Sequence, residues 1–349
     1  MFDAAFPRMV LGVVLALGGQ AHGTNGTTEM ATAAATGRVT VDDLRADATT
    51  NPLGTDNTRP SLSWRLRSSV NGERQTAYRV LVASDRRVLA VGVGDKWDSG
   101  KVTSAESIAV DYGGSALLAQ HAYYWKVQVW DSRGAASAWS PTASYELGPL
   151  GVADWKGAQW IATPSTTNDS DAPMLRKTFH LSKPVARARA YVYGLGFYEL
   201  HVNGGKVGDR VLTPASTPYD RRNAFDTYDV TNALVRGANA VGLWLGNGYG
   251  ATFNQFGFRW TGPKQAILLL DVVFADGTRQ TVTTDTSWKW SAAGPITGNE
   301  IYAGETYDAR RVSGWDRPRF DDSTWRPVTT VAAPAGRLVA DTMPPLRVV

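Results

Sequence analysis

Glu300, Glu305 and Asp308 stand close to Tyr302 and Tyr307 in the stretch GNEIYAGETYDARR. Carboxylates beside aromatic rings are the residue types of a saccharide site. Cleavage of a glycosidic bond uses two of them, about 5–5.5 Å apart for retention and about 6.5–9.5 Å for inversion. The same residues, next to Arg310 and Arg311, fit equally well an ion-paired strand end with a structural or inter-domain role. A second group is richer in oxygen. The segments VGDRVLTPASTPYDRRNAFDTYD and LGNGYGATFNQFGF carry Asp209, Tyr219, Asp220, Asn247, Tyr249 and Asn254, together with Phe253 and Phe256. Converging at one end of a β-structure, they would offer amides and carboxylates to sugar hydroxyls and rings to the apolar face of a pyranose. An oxygen set of this kind also suits a calcium ion, which takes six to eight oxygen ligands. Polar loops without a ligand remain the plain alternative.

Other chemistries are excluded or weakened. The chain has no cysteine, hence no disulfide, thiol nucleophile or thiolate-bound zinc. Its four histidines are His22, His121, His180 and His201, and no G-x-S-x-G elbow is present. His201 lies within an alternating strand pattern and reads as structural or surface. The glycines of YGLGFYE and VGVGDKW lack the third glycine and following helix of a nucleotide fingerprint. Net charge is +4 in 349 residues, with no concentrated basic run, which argues against nucleic acid. STTNDSDAP, with Asn168, Asp169 and Asp171, reads as a solvated loop.

The elements that must position these residues are strands. AYRVLVAS places Tyr78, Val80 and Val82 on one face. YYWKVQVWD separates Trp125, Val127 and Val129 from Tyr124, Lys126, Gln128 and Trp130. Such short alternating runs with regular turns predict a β-sandwich over 38–148, with Trp125 and Trp139 in its core. The Y-x-W-x-V-x-V-x-D pattern, followed by Gly and Trp-Ser, resembles a fibronectin type III module. One short helix is expected at SDRRVLAV, capped by Ser84 or Asp85. Glycine and proline at Gly148, Pro149, Gly151 and Gly157 mark a boundary. Eight or more further strands predict a jelly-roll sandwich over 149–335. Within it, FYELHVNGGKVGD reads as a hairpin turning on Asn203-Gly204, with Gly205 extending the loop as a bulge. DVTNALVRGANAVG holds at most one helical turn, with Thr231 as cap and Gly237 as stop. Residues 336–349, with Pro344-Pro345, read as the start of a truncated next module. At the other end, the apolar run Met9–Leu17 is far too short to span a membrane. With Ala21-His22-Gly23 behind it, 1–23 reads as a signal peptide for a secreted or periplasmic protein, and 24–37 as a linker.

The ordered series WDSGKV (97–102), YYWKVQVWD (123–131), WKGAQWIA (155–162), RKTFHL (176–181), YELHVNGGKVGDRVLTPASTPYDRR (198–222), TYDVTNALVRGANAVGLWLGNGYG (227–250), IYAGETYDAR (301–310) and FDDSTW (320–325) resembles the N-terminal half of bacterial α-L-rhamnosidases of glycoside hydrolase family 78. The match covers roughly 38–335. It implies a fibronectin-like module and then a jelly-roll domain, which in some members binds rhamnose with a calcium ion. It also implies that the catalytic carboxylates lie further on, in an (α/α)6 barrel for which this chain has no helical stretches. No catalytic residue therefore carries over. Many relatives read Gly-Trp at Ala215-Ser216, and often an acidic residue and Trp near Asn247 and Tyr249. The expectation is an all-β ancillary region that braces a catalytic barrel, separately encoded or not, and recognises rhamnose-containing glycans. An adhesin or docking scaffold without a sugar site is the alternative, and Glu305, Tyr307 and Asp308 stand as inter-domain or weak catalytic candidates.

Overall fold

Strand Ala122–Trp130 buries Tyr123, Trp125, Val127 and Val129 and leaves the intervening residues half-buried. This two-residue period is what a strand covered mainly on one face requires. The computed structural model describes residues 38–164, 172–249, 264–301 and 303–348. All of them belong to the unit Thr36–Val349. The expected signal peptide and linker lie outside the described residues, as do Asn168, Asp169, Asp171, Phe253, Asn254, Phe256 and Tyr302.

The first sandwich packs two sheets. Ala122–Trp130 pairs with Ala77–Ala83 and Ala143–Leu147 in a five-stranded sheet. Thr40–Ala46, Ser61–Arg67 and Val110–Asp111 form the facing three-stranded sheet. Trp64, Val80, Val82, Trp125 and Tyr145 share the core between them. The short helix is Arg86–Ala90, and Asp85 caps it by accepting from the Arg87 amide at 2.6 Å. Trp139 packs, half-buried, against a smaller apolar cluster of Leu81, Ala83 and Leu89 instead of the core between the sheets, with Lys126 Nζ 4.9 Å from its ring centre. The charged side chain covers the indole where a second sheet would otherwise have to.

The second sandwich is larger. Its six-stranded sheet runs Gly205–Lys206, Phe197–Val202, Gly237–Gly246, Met174–Leu181, Lys289–Ser291, Arg326–Pro327. The facing sheet is built on Gln265–Phe274, Val185–Leu195 and Arg222–Asp229. Leu200, Leu243, Leu245, Val192, Leu268 and Leu270 meet between them. The hairpin turns on Asn203-Gly204, with φ of 51° and 95°. Gly205 pairs directly with Val202, so the loop has two residues and Gly205 forms no bulge. Positive φ at both turn positions matches the twist of the flanking strands. Thr231–Ala233 is a single 3-10 turn, and Gly237 opens the next strand rather than stopping a helix.

Arg337–Ala340 corrects another expectation. Instead of opening a further module, it pairs in parallel with Arg222–Phe225 and extends the second sandwich. Val339 and Ala340 are buried there. The two sandwiches meet at a tight seam. Glu146 of the first, almost fully buried, lies 3.0 Å from both Arg187 and Arg189 of the second. Gly54, at φ 74°, sits so close to Thr227 that a Cβ would fall 1.9 Å from its Oγ1.

Candidate functional site

Phe197–Val202 and Gly237–Gly246 point Tyr198, Leu200, Leu243 and Leu245 into the core. The opposite face therefore carries Phe197, Glu199 and His201 on one strand and Trp244 on the other. Glu199 and Trp244 are cross-strand partners. A second hairpin, Ile296–Glu300 with Gly304–Tyr307, stands beside this face. Between them lies a cleft of about 350 Å³ lined by Phe197, Glu199, Trp244, Asn299, Glu300 and Glu305, among others.

Asn247 fixes the hairpin to the sheet. Its amide N–H donates to Asn299 Oδ1 at 2.6 Å, and its Nδ2 donates to the Asn299 carbonyl at 2.8 Å and to Glu300 Oε1 at 3.2 Å. Asn247 is fully buried. Two groups that the sequence offered separately, the carboxylate stretch and the Asn247 loop, thus meet at one place.

The other candidates divide. Tyr249 packs edge-to-face against Phe197, with ring centres 6.0 Å apart. Glu305 faces the cleft from a strand whose four residues are all exposed, and Tyr307 lies on the same strand. Asp308 belongs to the structure: it accepts from the Arg310 amide and pairs with the Arg310 and Arg311 guanidiniums, which hold its carboxyl below the usual range. Tyr219 is buried in an aromatic cluster with Trp155 and Phe225, and burial raises its phenol. Asp220 follows it, half-buried, in the turn closed by the Arg221 amide on Pro218. Asp209 is exposed and paired with Arg347 at 2.7 Å, and this contact lowers its carboxyl. Asn254 lies outside the described residues.

Sequence reasoning missed Glu199, Trp244 and what lies behind them. His201 Nδ1 is 2.8 Å from Asp316 Oδ2 and its Nε2 is 3.5 Å from Glu199. Burial disfavours the His201 imidazolium, but the contacts to Asp316 and Glu199 outweigh it and raise the ring above its ordinary value. Burial likewise opposes charge on Glu199, yet His201 and Lys206 hold it below the usual range. Trp315 covers His201 at 5.1 Å and stacks on Trp325. Arg176, fully buried, donates to the Arg317 carbonyl at 2.9 Å and pairs with Asp322. The readable signal was Trp244 itself: a large aromatic at an outward register implies that something covers that face.

The cleft offers carboxylates and amides beside Phe197 and Trp244, a pairing suited to a sugar with one apolar face. Glu305 lacks the apolar enclosure that a general acid uses. As for calcium, no three Asp, Glu or His side chains cluster for a metal among the described residues, and Asp209 is committed to Arg347.

Residues 41–151 match the Rha78A-like N-terminal immunoglobulin domain, and residues 183–349 the α-L-rhamnosidase N-terminal domain. The chain belongs to the α-L-rhamnosidases, as their N-terminal region. It is 36% identical over 318 residues to an α-L-rhamnosidase of Formosa agariphila, covering 81% of this chain and 33% of that protein. Among solved structures, the α-L-rhamnosidase of Dictyoglumus thermophilum superposes with a TM-score of 0.81 at 39% identity, over 88% of this chain and 36% of that one. The Streptomyces avermitilis α-L-rhamnosidase complexed with L-rhamnose gives 0.83 at 25% identity, over 89% and 47%. The chain thus spans about a third of the curated rhamnosidases it matches. The family model describes the first sandwich as immunoglobulin-like where the sequence pattern suggested a fibronectin relative. No helix among the described residues is long and apolar enough to cross a membrane.

Proposed function

We propose that this chain braces the catalytic part of an α-L-rhamnosidase, encoded with it or separately, and holds a terminal rhamnosyl group of a glycoside in the Glu199–Trp244 cleft. The observation that carries this reading is the ordered match of both sandwiches to the family's N-terminal domains, joined to an aromatic, carboxylate-lined cleft on the second. The chain by itself does not hydrolyse. Removing a positioned acid or base typically costs about 10²–10⁴-fold, and Glu305, the cleft's catalytic candidate, stands on a fully exposed strand. It acts outside the cytoplasm, secreted or periplasmic, and a calcium ion in the second sandwich belongs to the same reading. Calorimetric titration with L-rhamnose, with and without calcium, tests the binding. Heat of binding that is lost in Trp244→Ala supports it. No heat under either condition leaves only the bracing role. Release of free rhamnose from an aryl rhamnoside by the purified chain would overturn the non-catalytic assignment.

A further inference from the structure

The cleft does not end at Phe197. Beyond that ring and Leu212, which line both spaces, lies a second hollow of about 330 Å³. Its walls are of two kinds. Leu212, Met343 and Leu346 give it an exposed apolar rim, and Tyr249 stands beside Phe197 at the divide. Polar groups line it from Arg210, Thr213, Ser216, Asp226 and Asp341. Asp226 is fully buried and spoken for: Thr213 Oγ1 donates to it at 2.6 Å, the Tyr198 hydroxyl at 2.7 Å, and Arg210 pairs with it. Arg210 carries five N–H donors and uses only part of that set on Asp226. Asp341 is half-buried and accepts from the Met343 amide at 2.8 Å. Burial, with the like charge of Asp226, pushes its carboxyl up against the pull of that amide.

We propose that the two hollows form one groove, and that its ligand is a disaccharide-sized rhamnoside whose second sugar occupies the Arg210–Asp341 hollow. This rests on the sugar-binding reading above and extends it. Each hollow alone falls at the lower end of small-ligand pockets, about 300–1,000 Å³. A single deoxyhexose needs only one of them. The second joins an apolar rim to the polar groups of Arg210, Ser216 and Asp341, and a flat aromatic aglycone would cover the Arg210 N–H donors left over from Asp226 without giving them an acceptor. A hydroxyl-bearing ring matches them and packs its carbon face on the Phe197–Tyr249 divide.

The test is calorimetry on the full chain with methyl α-L-rhamnoside and with an α-L-rhamnosyl-glucose disaccharide. The disaccharide is expected to bind about tenfold more tightly, the equivalent of one good hydrogen bond with its stacking. Ser216→Trp and Met343→Trp, each filling the second hollow from a different wall, should bring that ratio near one. Circular dichroism identifies a variant that has not folded, and the other variant then decides. Equal affinity for the two ligands, or a ratio unmoved by a folded filling variant, overturns the two-sugar groove while leaving a one-sugar site intact. No heat with either ligand overturns the sugar reading as well.

Discussion

At the scale of single residues, one buried carboxylate of the first sandwich ties its stability to pH. Asp131 accepts from the Arg38 amide at 3.1 Å and from those of Ala135 and Arg133 at 2.9 Å each. These contacts, the Arg38 amide foremost, outweigh burial and bring its carboxyl down from 3.8 to about 2. A depressed carboxylate stabilises the fold above its unfolded value and ceases to do so as pH falls through the folded one. Asp131→Asn should therefore lower the melting temperature at pH 7, and the gap to the parent should close between pH 4 and pH 2. Thermal scans across that range check it, and a gap that stays constant would refute it. Residues of this kind were only partly legible. Asn203-Gly204 could be read because its turn chemistry is local. Tyr219 could not, since the direction of a loop side chain depends on what packs beneath it, here Trp155 and Phe225.

Elements carry the next level. The hairpin Ile296–Tyr307 has no fully buried described residue on either strand, and Asn247 fastens it from below. A segment with few buried apolar contacts opens locally at little free-energy cost. Asn247→Ala removes two side-chain donations from a buried position, a loss of about 1–3 kcal/mol. Hydrogen exchange should quicken across Ile296–Glu300 while Gln265–Phe274 in the core keeps its protection. Uniform change in both strands would mean that Asn247 supports the whole sandwich instead. The strands themselves were visible in the alternation of Ala122–Trp130 and Phe197–Val202, because a covered face imposes that period. Their outer partners were not. Asn247 and Asn299 are far apart in sequence, and no local pattern announces such a pairing. The short strand Arg337–Ala340 was misassigned for the same reason: its partner lies more than a hundred residues earlier.

For the molecule as a whole, the seam at Glu146 decides whether the two sandwiches unfold together. Arg187 and Arg189 both converge on its carboxylate, and Asp229 shares Arg189 at 2.9 Å. Removing one partner from a buried ion pair typically costs about 3–5 kcal/mol, because the remaining charges stay desolvated. Glu146→Ala should turn a single calorimetric transition into two, with the first sandwich and the second melting apart. One unchanged transition would place the coupling elsewhere, at Gly54 and Thr227. The pairing of Arg337–Ala340 with Arg222–Phe225 has a consequence of another kind. Chains are made from one end at roughly 5–20 residues per second. The Arg222 strand leaves the ribosome several seconds before its neighbour exists, with its backbone donors and acceptors open to any other strand in reach. Biosynthesis of this protein thus passes through an interval in which chaperone capture competes with clumping, and shortening that interval should raise the soluble yield.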